Sequence, residues 1–135
     1  MYRTKLGSHR YEVECVMVSN VIKIPVLIVD TGALYTCCHY MEIDEQLKES
    51  DVQSLETKYL GGFVRGQAIK FYKYPLRQFT VGNIDIGARC IWITFDDRIT
   101  DKVLGMDILK DMTFLNRHKE KRLYFYNDGE DVVLI

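Results

Sequence analysis

The sequence has no long apolar run, no surplus of either charge, few prolines and no cysteine framework, and each absence excludes something. Eighteen basic and 19 acidic residues leave a net charge of −1, so nothing draws the chain to phosphate backbones or anionic lipid. No apolar stretch approaches the ~20 residues of a membrane-spanning helix. The opening Met1-Tyr2-Arg3-Thr4-Lys5-Leu6-Gly7 lacks the apolar centre of a secretory leader. These absences predict a cytoplasmic protein with no nucleic-acid and no membrane partner. Two prolines and no low-complexity segment leave no linker to find. The 135 residues then read as a single domain, 1–135, long enough to bury a modest core.

Cysteine usage points the same way. Cys37 and Cys38 are adjacent, and neighbours rarely meet disulfide geometry. With Cys15 and Cys90 they read as reduced, buried thiols of an intracellular protein. Cys37-Cys38-His39 has no second ligand pair at a usual spacing, and His39 would face away from Cys38 on a strand. Asp96-Asp97 has no calcium loop around it. No metal or cofactor is expected.

What the chain does have is strand formers: nine Tyr, six Phe and many Val and Ile. Tyr11 to Val18 alternates at its start and then turns apolar, as a strand entering a core does. Ser19-Asn20 reads as a two-residue turn. Val21 to Ile24 returns and runs on through Val26-Leu27-Ile28-Val29, a strand expected to be buried on both faces. That strand delivers Asp30-Thr31-Gly32-Ala33 into a turn. A carboxylate there is costly to desolvate without partners, Thr31 offers a hydroxyl next door, and Gly32 removes a Cβ so that other groups can come close. The bland reading is an Asp-initiated hairpin turn. Ala33 to Cys38 reads as the next strand, and the acidic run from Met41 to Ser50 as a solvated face.

Two strand-like arms from Glu56 to Ile69 flank a tip of Gly61, Gly62, Phe63, Val64, Arg65 and Gly66, read either as a flap that closes over a ligand or as an ordinary hairpin with a bulge. Phe71-Tyr72-Lys73-Tyr74 reads as an edge strand blocked by Pro75 rather than a base-stacking surface. Gln78 to Val81, a turn at Gly82-Asn83, Ile84 to Gly87 and Arg89 to Phe95 continue the strands. Val103-Leu104-Gly105 leads into one or two helical turns with Met106, Leu109 and Met112 on a single face. The C-terminal portion reads as a hairpin around a basic tip, Arg117 to Arg122, and a last strand Val132 to Ile135. Many short strands and one short helix predict an all-β, barrel-like domain.

Three features in one order, Val29-Asp30-Thr31-Gly32-Ala33, the glycine-rich hairpin at Gly61 to Gly66, and Val103-Leu104-Gly105 before a short helix, resemble the retropepsin-like aspartic proteases, single-domain relatives of the retroviral enzymes. The resemblance covers about residues 11–115. It implies an acid-protease barrel with one short C-terminal helix, Asp30 as the catalytic acid, Thr31, Gly32 and Ala33 supporting its loop, the hairpin tip as a flap over substrate, and Val103, Leu104 and Gly105 bracing the Asp loop. That chemistry needs two carboxylates sharing a proton, and this chain holds one Asp-Thr-Gly. It therefore implies a homodimer with Asp30 from each protomer, a polypeptide substrate, and Thr31 bridging the two loops. Phe63, Val64 and Leu104 are expected to line the groove and favour apolar residues beside the cut. Val132 to Ile135, apolar at a free end, is a suspect for the dimer interface. The alternative on the same fold is a non-catalytic module that binds peptide by strand addition or serves only for dimerisation.

Overall fold

The backbone of the fold is one long strand shared between two halves of a sheet. The computed structural model describes residues 2–3, 5–7, 10–117 and 122–126. In chain order the strands are β1 (Tyr2–Arg3), β2 (Lys5–Gly7), β3 (Arg10–Val18), β4 (Ile22–Lys23), β5 (Val26–Val29) and β6 (Cys37–His39). After two 3₁₀ turns, Tyr40–Glu42 and Glu49–Val52, come β7 (Thr57–Val64), β8 (Gln67–Leu76), β9 (Gln78–Val81), β10 (Ile84–Asp85), β11 (Arg89–Thr94) and β12 (Val103–Leu104). Helix α1 (Met106–Leu109) precedes β13 (Thr113–Arg117) and β14 (Arg122–Tyr126). The expected all-β architecture with one short helix is therefore observed. The expected tip at Arg117 to Arg122 falls between β13 and β14, with residues 118–121 outside the described residues, as is the expected strand Val132 to Ile135.

β3 alternates: Val13, Cys15 and Met17 are buried while the residues between them are not. Its two-residue period lets it pair with β2 and β5 on its first half and with β4 and β9 on its second. The large sheet runs β10-β9-β3-β5-β12-β6-β11-β8-β7, and β1-β14-β13 form a separate small sheet. Its two parallel pairings, β5 with β12 and β6 with β11, bring the Asp-Thr-Gly segment beside the Val-Leu-Gly segment. The main core, with Leu27, Phe79, Val81, Ile91, Ile93, Leu104, Ile108 and Leu109, lies on one side of these strands. A smaller cluster of Cys37, Ile69, Phe71, Trp92, Ile99 and Val103 lies beneath the hairpin.

Several local expectations change in the fold. β5 is not buried on both faces: Leu27 and Val29 pack on the core, whereas Val26 is exposed and Ile28 half-buried. The first turn takes three residues, since Val18 pairs with Ile22 and Ser19 N–H donates to Val21 O at 3.0 Å. Ala33 to Tyr35 is not strand; the carbonyls of Ala33 and Leu34 accept from the first residues of α1 rather than from a neighbouring strand. The acidic run from Met41 to Ser50 is anchored by buried Ile43 and Leu47, with Val52 just beyond it. β8 is internal, between β7 and β11. Lys73 N–H donates to Glu56 O at 2.8 Å, and Pro75 turns its missing donor to that same side, where β7 has ended.

Three of the four thiols are buried as expected, but Cys90 is exposed on β11. Burial raises the Cys15 and Cys38 thiols well above their ordinary value, which leaves them neither accessible nor ionised. Iodoacetamide at pH 8 is therefore expected to label the folded protein once, at Cys90. Mass mapping that finds Cys15, Cys37 or Cys38 modified at a comparable rate would contradict this packing.

Candidate active site

Asp30 stands at the end of β5, where its own N–H donates to Leu104 O at 3.0 Å and Ile28 N–H donates to Lys102 O at 2.7 Å. These two bonds continue the parallel pairing of Val103 with Ile28 and Leu104 with Val29. The carboxylate itself is exposed; its Oδ1 accepts from Gly32 N–H at 2.9 Å. A Cβ at position 32 would sit 3.2 Å from that same oxygen, a tight contact that glycine avoids.

The turn that carries Asp30 is held from below. Met106 N–H donates to Ala33 O at 2.8 Å and Asp107 N–H to Leu34 O at 3.1 Å. Both are first-turn helical donors that lack an intrahelical partner. Thr36, buried in the turn before β6, gathers the rest. Its hydroxyl accepts from Gly105 N–H at 2.9 Å and donates to Asp107 Oδ1 at 2.7 Å. Its own N–H donates to both Asp107 oxygens at 2.9 and 3.0 Å. On the next strand, Trp92 N–H donates to Thr36 O at 2.9 Å. The Asp loop, the Val-Leu-Gly strand and α1 are thus one hydrogen-bonded unit.

Thr36 and Asp107 were not singled out as supports by sequence reading. Asp107 is not placed as a second catalytic acid, because both its oxygens accept from Thr36; its work is to hold the loop. The available signal was an acid in the first turn of a helix directly after glycine. Thr36→Val keeps the shape but orphans Gly105 N–H and one Asp107 bond. We expect a loss of about 2 kcal/mol in urea unfolding, and a much smaller loss for Thr36→Ser, which keeps the hydroxyl. Equal losses for the two would mean that the hydroxyl is not what holds the loop.

Above the loop hangs the hairpin of β7 and β8. Its turn is Arg65-Gly66, with Val64 paired to Gln67, and a bulge separates this from the Leu60–Ile69 pair. Gly66 (φ 74°) makes the turn and Gly62 (φ 95°) the bulge, both in the left-handed region that glycine enters freely. Of the two readings offered for this stretch, the bulged hairpin is the one the backbone shows. Phe63 folds back on Phe71 with ring centroids 5.2 Å apart.

Between hairpin and loop lies a cleft of about 510 Å³. Its lining takes Asp30, Gly32 and Ala33 from the Asp loop, Gly61, Gly62 and Phe63 from the hairpin, and Val103 from β12. Two residues expected to line it do not. Leu104 is fully buried in the core, since strand alternation turns it away from Val103. Val64, with Arg65 and Gly66, borders a separate hollow at the hairpin tip. Thr31 is exposed beside Asp30, and Leu34 projects with 70% of its surface exposed. Cys37 lies in the cleft wall, where burial, followed by the fields of Asp107, Asp101 and Asp30, pushes its thiol up to about 12.

Asp96 and Asp97 have their own partners. Asp96 is held down to about 2 by hydrogen bonds from Arg98, and Asp97 meets His39 Nε2 at 2.9 Å. Asp128 lies outside the described residues.

No protein-family model matches this chain, and no curated protein does. Among solved structures, the crystal structure of a retropepsin-like aspartic protease from Rickettsia conorii aligns with a TM-score of 0.59, at 17% identity, over 90% of this chain and 86% of that one. The chain has the retropepsin-like all-β fold.

Proposed function

We propose that this protein is an aspartic endopeptidase acting as a homodimer, each protomer supplying Asp30 to a shared dyad. The observation that carries the reading is an aspartate at the floor of a cleft, exposed on one side, pinned by its backbone and roofed by a glycine-bulged hairpin. In the dimer two like charges a few ångström apart do not both ionise, so one carboxyl keeps a proton. The ionised Asp30 takes a proton from a water as it attacks the scissile carbonyl. The protonated partner donates to the carbonyl oxygen. Thr31, exposed next to Asp30, braces the two loops across the two-fold axis. Gly32 and Ala33 leave room for the substrate backbone, and the hairpin, with Gly61 to Gly66 at its end, closes over an extended polypeptide and excludes water.

A second copy also answers a problem of the single chain. Val26 and Leu34 are large apolar side chains exposed close to Asp30 in the chain, and an isologous contact about Asp30 would cover them. The four free thiols fit a reducing compartment, which supports the cytoplasm. Among the described residues no helix is long and apolar enough to cross a membrane.

Sedimentation equilibrium across micromolar concentrations, from acidic to neutral pH, tests the assembly. A dimer is expected. A strict monomer at every concentration rules out a self-sufficient dyad and leaves peptide binding without cleavage as the function of the cleft.

A further inference from the structure

The cleft has a second acidic wall residue that the hydrolytic chemistry does not use. Asp101 lines the same space as Asp30, and among the described residues these two are its charged lining side chains. Backbone geometry presents it there. Lys102 O is fixed by the 2.7 Å bond from Ile28 N–H, and extended chain turns alternate residues to opposite sides. Asp101 and Val103 therefore face the cleft together, while Lys102 points away and meets Glu42 at 3.6 Å. The other acids of this loop are occupied by Arg98 and His39. Asp101 has no ion pair or hydrogen bond among the described residues, and it is exposed to whatever enters.

The same cleft takes apolar side chains from Val103, Leu60 and Phe63, together with Tyr35 and the backbone of Gly61 and Gly62. A cleft of mixed lining that offers apolar side chains beside a free carboxylate suits a side chain with an aliphatic stem and a cationic head. A leucine there would leave the carboxylate unpaired, and a glutamate would be repelled. We infer that Asp101 is a specificity-determining residue that selects polypeptides carrying lysine or arginine close to the scissile bond. The inference rests on reading the cleft as the active site. It replaces the purely apolar preference expected from Phe63, Val64 and Leu104, of which Phe63 alone reaches the cleft. The reach follows from size. A compact space of this volume is roughly 10 Å across, about three residues of extended chain at ~3.3 Å each, so the basic residue lies within that distance of the carbonyl over Asp30.

The probe is an equimolar pool of acetylated decapeptides, randomised except for a central Lys, Arg, norleucine or Glu. In one arm the pool is digested by the wild type, Asp101→Asn and Asp101→Lys, with Asp30→Asn as the blank, and the cut sites are read by mass spectrometry. In the other arm it is passed over immobilised Asp30→Asn and Asp30→Asn/Asp101→Asn proteins and the retained peptides are sequenced. The wild type is expected to cut Lys and Arg peptides about tenfold faster than the norleucine peptides, near 1.4 kcal/mol. Asp101→Asn is expected to erase that ratio and Asp101→Lys to turn it toward Glu. The ratio should also shrink between 50 and 500 mM salt, as screening of a partly exposed pair requires. Cleavage that depends on Asp30 but is indifferent to charge overturns this inference and leaves the protease reading standing. Retention of basic peptides that depends on Asp101, with no cleavage by the wild type, overturns the protease reading and keeps Asp101 as the contact for a cationic side chain. Neither retention nor cleavage overturns both.

Discussion

Asp30→Asn is expected to remove peptide hydrolysis, by about 10³-fold or more in kcat/KM, while leaving the fold intact. The size of the loss follows from what the side chain does. In the proposed symmetric dimer the substitution would remove both the base that takes the water's proton and the acid that protonates the carbonyl oxygen, and each such role is worth about 10²–10⁴. The preserved fold follows from the structure. The carboxylate is exposed, and its one side-chain bond, from Gly32 N–H, can be accepted equally by the amide oxygen of asparagine. The backbone bonds through Asp30 N–H and O do not involve the side chain. Thermal unfolding is therefore expected to stay within about 2 °C of the wild type, as for a surface substitution. Digestion of a peptide pool with both proteins, scored against their melting curves, is the decisive comparison. Undiminished cleavage by the variant would sink the dyad assignment. A loss of cleavage together with a collapsed melting curve would mean that the acid was holding structure instead.

Gly105→Ala is expected to be among the most damaging single-atom changes in the chain. Its dihedrals, φ −102° and ψ −177°, are open to any residue, so the cost is not one of backbone conformation. It is a collision. A Cβ there would lie 2.6 Å from both the carbonyl carbon and the oxygen of Tyr35, and 3.0 Å from Ala33 O. These are backbone atoms, and the turn they belong to is held by Met106 N–H, Asp107 N–H and Thr36, so they cannot move aside without breaking those bonds. Overpacking a tight site costs about 1–3 kcal/mol. With a loop hydrogen bond broken as well, the total reaches about 3 kcal/mol, or roughly 10 °C in Tm at this chain length. Because the displaced turn is the one that carries Asp30, activity should fall even at temperatures where the variant remains folded. A melting temperature within a few degrees of wild type would show that the strand of Val103 and Leu104 can slide, contrary to the packing described above.

These two residues differ in how readable they were. Asp30 stands out in the chain because an apolar strand ending in Asp-Thr-Gly is a local pattern, and the stretch before Gly105 stands out because two apolar residues, a glycine and a helical turn follow in sequence. Strand and turn assignments from Gln78 to Phe95 were likewise local matters of alternation and turn residues, and the structure keeps them nearly unchanged. The reason for glycine at position 105 was not local. It lies in the backbone of Tyr35, on the far side of the cleft-bearing loop. Thr36 and Asp107 were hidden for the same reason: the hydrogen bonds between them join residues 71 positions apart. Asp101 looked like one more acid in a polar loop beside Asp96 and Asp97. Only the register of β12 against β5 separates it from them and turns it into the cleft.

By itself the sequence determined the all-β class, the order of the three segments around Asp30, and the glycines that let the hairpin turn and bulge, since each is written in a residue's own steric and hydrogen-bonding habits over a few positions. Tertiary structure decided the burial of β5, whose Val26 is exposed because among the described residues no layer covers it. It decided which of Phe63, Val64 and Leu104 reaches the cleft, because a strand's period of two sends neighbours to opposite faces once a partner strand defines what those faces are. And it decided which carboxylates are spoken for, because an acid's role depends on the cation or N–H that the folded chain brings to it, and not on the residues beside it in the chain.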